Sequence, residues 1–326
     1  MKQNFDLHMH TTYCDGLSSA EEMIQSAIDK GLAVVGISGH SFTPHDPSYC
    51  MSREGTLSYI EEISRLKEKY SGQIRVLLGL EMDRYADTDL QPYDYWLGSV
   101  HYIFTNDGLR KYEKILEDYK NSDRSGADAA ALDLIRFTDW TAVDDEPYDL
   151  RHFANVQHMD MLSVAELYFD TVGGIFNATG CDIIGHFDLL TKFNERYRIT
   201  PDETVIDLSR EEAPEGSAQF FDTEDERYIA AWKKSIDRIF EDCRTRYKTG
   251  CRNRLEKLGV FEAGDKPVFE INTGAISKGY RTTPYPADDQ IKYIKSKGGI
   301  LILNSDSHKP DTICNKFSEL EEKYSR

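Results

Sequence analysis

Seven short runs of apolar and β-branched residues recur along the chain, several of them followed by a stretch with helical periodicity. The runs are Phe5–His8, Ala33–Ser38, Ile74–Leu80, Tyr95–Val100, Asp182–Gly185, Val268–Ile271 and Gly299–Asn304. Apolar runs without polar alternation suit strands buried on both faces of a parallel sheet. Between them the helical signals are readable. Ser18-Ser19-Ala20-Glu21-Glu22 offers overlapping capping boxes; Met23, Ile24, Ala27 and Ile28 follow on one face, and Gly31 ends the helix. A second helix carries Ile60, Ile63 and Leu66, and a third over Val164–Ala178 precedes the strand at Asp182. A fourth starts near Pro286, carries Ile291 and Ile294, and stops at Gly298-Gly299. The alternation predicts an α/β fold, either a βα barrel or a doubly wound sheet, and periodicity alone does not choose between them.

Two segments break the repeat. Residues 105–160 are polar, aromatic and loop-rich, with a helix predicted around Arg110–Tyr119. Residues 198–266 begin acidic, with ten acidic residues and one basic, Arg210, between Asp202 and Glu226. They then turn basic, with nine basic residues from Lys233 to Lys257 on a helical stripe of Trp232, Ile236, Ile239/Phe240 and Cys243. The plain reading is a solvated loop followed by an amphipathic surface helix. Without internal repeats or a low-complexity linker, residues 1–326 read as one domain with insertions at about 105–160 and 198–266.

Composition adds exclusions. With 39 Lys+Arg against 57 Asp+Glu among 326 residues, the formal net charge is −18. That disfavours a long nucleic acid, whose phosphates require dense cations, yet it allows a small phosphorylated substrate where metal ions supply local positive charge. No apolar stretch reaches the length of a membrane-spanning helix, and the polar start Met1-Lys2-Gln3-Asn4-Phe5-Asp6 does not resemble a secretory signal. Cys14, Cys50, Cys181, Cys243, Cys251 and Cys314 form no C-x-x-C pair and read as free thiols of a cytoplasmic protein.

Metal-capable side chains sit where the strands end. The first strand runs into His8-Met9-His10, with Asp15 beyond it; the second ends at His40, the third at Glu81 and the fourth at His101. The fifth ends in His186-Phe187-Asp188, the sixth carries Glu270, and the seventh ends in Asp306-Ser307-His308. Six of the nine histidines lie at these positions. In parallel α/β folds the strand C-termini open onto one face, so these groups converge although far apart in sequence. Imidazole with carboxylate is a ligand set for zinc, manganese or iron. The two-residue period of a strand lets His8 and His10 face one ion, and Asp306 and His308 share that spacing. His45, His152 and His158 lack such placement and read as structural or surface residues.

These residues resemble the polymerase and histidinol phosphatase (PHP) superfamily, in chain order and through nearly the whole sequence. The motifs are Asp6-x-His8-x-His10, Asp15, His40, Glu81, Ser99-Val100-His101, Gly185-His186-x-Asp188, Glu270-Ile271-Asn272 and Ser305-Asp306-Ser307-His308. Within the superfamily the chain looks like the monofunctional histidinol-phosphate phosphatases. The resemblance implies a distorted (β/α)7 barrel, TIM-barrel-like, and a site for three divalent ions of zinc, manganese or iron. By position His8, His10, Glu81 and Asp306 would hold the first ion, and Glu81 would bridge to a second on His101 and His186. Asp15, His40 and His308 would hold the third; some relatives carry His at the place of Asp15.

The implied activity is hydrolysis of L-histidinol phosphate to L-histidinol and phosphate in histidine biosynthesis. A hydroxide shared by two ions would attack phosphorus. Glu81, Asp306 and His308 would serve the reaction directly, while Asp188 would move a proton or cap its strand. Donors for the phosphate would come from Arg281, Lys192 or Arg196, where Arg gives a bidentate fit. Asp144-Asp145-Glu146 in the first insertion is a candidate contact for the substrate ammonium. The alternatives are another phosphoesterase, acting on a nucleotide, an oligonucleotide or phosphotyrosine, and a non-catalytic metal-dependent binding module.

Overall fold

Each predicted strand is present, with its bounds moved by one or two residues. A computed structural model describes residues 3–121 and 134–324. In chain order the strands are β1 (Phe5–Asp6), β2 (Val34–Ile37), β3 (Arg75–Leu78), β4 (Glu81–Asp83), β5 (Leu97–Ser99) and β6 (Tyr102–Phe104). They continue with β7 (Trp140–Ala142), β8 (Ile183–Ile184), β9 (Tyr197–Ile199), β10 (Val205–Asp207), β11 (Val268–Asn272) and β12 (Ile300–Asn304).

Two parallel sheets dominate, β1-β2-β3 and β12-β11-β8-β5-β4. They are joined because β3 runs on into β4 after Gly79-Leu80, and single pairings link His40 to Glu81 and Met9 to Ser307. The result is a ring of seven positions in the order β1, β2, β3–β4, β5, β8, β11, β12. Between β12 and β1 a lone bridge stands in place of a continuous ladder, with His10 N donating to Ser307 O at 2.8 Å and Ser307 N to His8 O at 3.2 Å.

Alternation along the strands fills both faces. Val34, Leu77, Leu97, Ile183, Val268 and Ile302 pack around Tyr95, whose hydroxyl donates to Leu7 O at 2.6 Å. Val35, Ile37, Val76, Leu78, Ile184 and Phe269 pack with the apolar faces of the helices. Tyr95 leaves no room beside it: a Cβ at Gly36 or Gly79 would stand 2.0 or 2.5 Å from its hydroxyl oxygen.

The helices follow their sequence signals. Ser19 caps Ala20–Asp29 with Glu22 closing the box, and Met23, Ile24 and Ala27 are buried. The helix Arg53–Tyr70 buries Ile63 and Leu66, and Glu226–Lys248 buries Trp232, Ile236, Ile239, Phe240 and Cys243. The signal over Val164–Ala178 resolves into Met161–Gly173 and Ile175–Thr179, broken at Gly174.

The helix predicted around Arg110–Tyr119 is present as Asn106–Asn121, and the irregular segments also hold structure the periodicity did not predict. Antiparallel β6 and β7 flank that helix, and the helix Asp149–Val156 follows; residues 122–133 of this insertion lie outside the described residues. A second antiparallel pair, β9–β10, opens the acidic stretch. No helix among the described residues is long and apolar enough to cross a membrane.

Candidate metal centre

Glu81 opens β4 and is buried at the centre of five imidazoles. One oxygen, Oε2, lies 3.1 Å from His8 Nε2, 3.3 Å from His10 Nε2 and 3.0 Å from His40 Nδ1. The other, Oε1, lies 2.8 Å from His186 Nε2 and 3.3 Å from His101 Nε2. Parallel pairing explains the gathering, since β1, β2, β5 and β8 all end on the face where β4 begins. His8 and His10 reach the same carboxylate oxygen, as strand alternation requires, while Met9 between them lies in the core.

Asp306 and Asp15 complete the ring of donors. Asp306 Oδ1 is 3.1 Å from His10 Nε2 and 3.7 Å from His8 Nε2. Its φ of 48° is the left-handed region that non-glycine residues seldom occupy, a strain typical of functional positions. Gly274 makes room for it, because a Cβ there would meet Asp306 Oδ2 at 2.5 Å. Asp15 stands at the rim, with Oδ2 2.9 Å from His308 Nε2 and Oδ1 3.6 Å from His40 Nε2.

Outer contacts aim the rings. Glu270 Oε2 holds His8 Nδ1 at 2.8 Å, and its Oε1 accepts from His186 N at 2.6 Å and Asn272 Nδ2 at 2.8 Å. Asp83 Oδ2 holds His101 Nδ1 at 3.2 Å and also accepts His101 N at 3.0 Å. His308 Nδ1 is 3.0 Å from Asp306 O. With one ring nitrogen engaged, the other is presented to the centre, the usual arrangement behind metal-ligating histidines.

The donor set fits divalent cations on its own geometry. His8 Nε2, His10 Nε2 and Glu81 Oε2 are buried without a hydrogen-bond partner among the described residues, which native interiors rarely tolerate. Three groups have donor atoms close enough to share an ion: His10, Asp15, His40 and His308; His8, His10 and Glu81; and His40, Glu81 and His101. Electrostatics agree. Burial opposes ionisation of Glu81, yet His40, His8 and His101 hold its carboxyl well below the usual carboxylate range. Burial, helped by His308 and His40, pushes His10 down to about 3 and keeps the ring neutral, with one nitrogen lone pair free.

Above the donors a cavity of about 240 Å³ opens, and some of the remaining predicted residues line it. All nine predicted ligands gather here: His8, His10, Asp15, His40, Glu81, His101, His186, Asp306 and His308. Lys192 lines the cavity with its ammonium 3.2 Å from Asp144 Oδ2. Asp144 and Asp145 line it too, so part of the acidic triplet of the insertion does face the site.

Three predicted residues do not reach the cavity. Arg281 is buried behind Tyr285, stacked on that ring at 4.4 Å, and donates to Thr191 Oγ1 at 2.7 Å and Asp188 Oδ2 at 3.3 Å. Asp188 is thereby committed to Arg281, with burial raising its pKa against the pull of that guanidinium. Arg196 forms a two-pronged pair with Asp207 on β10, at 3.0 and 2.8 Å.

Other residues at the site escaped the sequence reading. Lys278 lines the cavity, with Nζ 3.3 Å from His308 Nε2, and Asp46, Tyr49 and Tyr285 form further walls. Asp83 had a usable signal, since it stands two residues after Glu81 on one strand and shares its side. Asp46 and Tyr49 sit in a loop with no periodicity to place them.

A family model described as a PHP domain matches residues 6–212. A probable histidinol-phosphatase of Deinococcus radiodurans is 23% identical over 329 residues, covering 96% of this chain and 90% of the relative. Among solved structures, one from Listeria monocytogenes with a provisional histidinol phosphatase assignment has a TM-score of 0.62 at 14% identity, covering 97% of this chain and 99% of that one. Another, histidinol phosphate phosphatase of Lactococcus lactis complexed with zinc, L-histidinol and phosphate, has a TM-score of 0.56 at 15% identity, covering 99% and 92%.

Proposed function

The chain belongs to the PHP domain family, and from that premise we propose that it is a metal-dependent phosphatase converting L-histidinol phosphate to L-histidinol and phosphate. The observation that carries the reading is the convergence of eight imidazole and carboxylate side chains around Glu81, at the floor of a cavity with charges of both signs on its walls. The names of relatives spanning nearly the whole chain support the substrate. The charged walls support it independently. Lys192 and Lys278 are cationic donors suited to phosphoryl oxygens, while Asp46, Asp144 and Asp145 suit a substrate that also carries an ammonium group.

His8, His10, Glu81 and Asp306 would hold one ion, His101 and His186 with Glu81 a second, and Asp15, His40 and His308 a third. Divalent ions held there would supply positive charge to the phosphoryl group and lower the pKa of water. The protein's own share is positioning. Glu270 and Asp83 fix the rings of His8 and His101, and Asp306, on the cavity wall, would orient the attacking water. Lys192, released from Asp144, and Lys278 neutralise the non-bridging oxygens. Asp144 then turns to the substrate ammonium. Arg281 and Asp188 support Tyr285 from behind and take no part in bond breaking.

The test is kcat/KM of protein reconstituted with Mn²⁺, Fe²⁺ or Zn²⁺ on histidinol phosphate, a nucleoside monophosphate and a phosphotyrosyl peptide. Histidinol phosphate is expected to lead by at least about tenfold, roughly 1.4 kcal/mol of discrimination. A lead by either competitor moves the assignment to that substrate class.

A further inference from the structure

At the opposite end of the strands from the metal centre lies a second cleft, of about 140 Å³. Its floor is where two site-bearing strands begin, at Asp182 just before β8 and at Pro267–Val268 opening β11. Its wall is the last turn of the helix Glu226–Lys248 and the loop after it. Five cationic side chains line it, Arg246, Arg252, Arg254, Lys257 and Lys266, against a single carboxylate, Asp182.

That carboxylate is already matched. Arg254 Nη1 lies 3.1 Å from Asp182 Oδ2, and its guanidinium stacks on Trp96 at 3.4 Å. The other four cations form no ion pair among the described residues. Two of them are held in place without being neutralised. Arg246 donates to Phe176 O at 3.0 Å and lies against Gly180, where a Cβ would meet its Nη1 at 2.6 Å. Arg252 stacks on Tyr247 at 3.7 Å and donates to Tyr247 O at 2.8 Å. Of the nearby acids, Glu256 is engaged by the backbone N–H groups of Ala263 and Gly264, while the Asp265 carboxylate acts on the Cys243 thiol at the cleft and forms no ion pair among the described residues with the four cations.

Four unneutralised cations around one concavity are unusual company in a chain of net charge −18, and fixed guanidinium groups lose little freedom on meeting an oxyanion. We infer that this cleft binds a small phosphate-type dianion, at a site separate from the cavity over the metal centre. Arg246 and Arg252 supply directional donors, and Lys257 and Lys266 supply charge from the exposed rim.

The test is calorimetric titration of the metal-loaded protein with inorganic phosphate at low ionic strength. Wild type is expected to take up one phosphate equivalent more than the K257E/K266E variant. Arg252→Ala is expected to weaken that equivalent at least tenfold, with each variant still melting cooperatively. A second arm adds adenosine monophosphate. Displacement of the extra equivalent assigns the phosphoryl group of a larger compound, and its persistence assigns the free anion. Equal stoichiometry in wild type and both variants overturns the inference. The altered residues are remote from Glu81, so this count is independent of which substrate the metal centre hydrolyses.

Discussion

Glu81 shows how much one side chain can carry: both of its oxygens are shared among five histidines, and removing any one ring unbalances the rest. His186→Ala is expected to lower kcat/KM by at least about a thousandfold, roughly 4 kcal/mol of transition-state stabilisation, with a cooperative circular dichroism melt still seen; turnover at the wild-type rate would remove His186 from the ligand set. Glu270→Gln keeps an oxygen for one donor but no longer a carboxylate behind His8, so metal affinity is expected to fall about 10- to 100-fold, read by competition with a chelating dye. At this scale the sequence was most legible where chemistry is scarce. Histidine is uncommon, and six of nine at strand ends left little room for chance. Lysine and arginine are common, and nothing in a sequence separates a guanidinium that meets phosphate from one that stacks on Tyr285, as Arg281 does.

The strands were legible for a related reason. β2 and β8 are apolar throughout and β3 is apolar after Arg75, while β11 breaks its apolar run only with Glu270 and Asn272. β4 was not legible, because its inward-facing Glu81 and Asp83 are polar and functional. The loop between β2 and the helix Arg53–Tyr70 was equally opaque, yet it is anchored. His45 in that loop inserts edge-on among Tyr102, Phe104, Tyr112 and Trp140 at 4.5–5.4 Å, which fixes neighbouring Asp46 and Tyr49 against the cavity. Burial lowers the His45 pKa from 6.5 to about 4, against the opposing pull of Asp83 and Asp46. Below about pH 6.5 the unfolded chain takes up a proton that the folded loop refuses, so this contribution is complete above that pH and declines toward pH 4. Wild type is expected to lose about 2 kcal/mol more stability than His45→Phe between pH 7.5 and pH 5, measured by urea unfolding at both values.

For the molecule as a whole, the acidic balance and the unpartnered donors make the ions part of folding. Ligands that bind only the native state stabilise it by mass action, about 4 kcal/mol at a thousand times Kd. Exhaustive chelation is therefore expected to lower the melting temperature by several degrees, and an unchanged melt after verified metal removal would show that the ions do not stabilise the fold. The lone bridge between Met9 and Ser307 carries a consequence in time. The two segments it joins are separated by about 300 residues, as are Ser305 N and the Asp6 carboxylate it meets. At roughly 5–20 residues per second, His8 and His10 leave the ribosome about 15–60 seconds before Asp306 and His308. Through that interval β1 has no partner on its β12 side, and the earliest ligands wait for the latest. A nascent chain halted before Asp306 would hold most of the donors and still lack the closing stave, so the full donor ring can assemble only once the end of the barrel has been made.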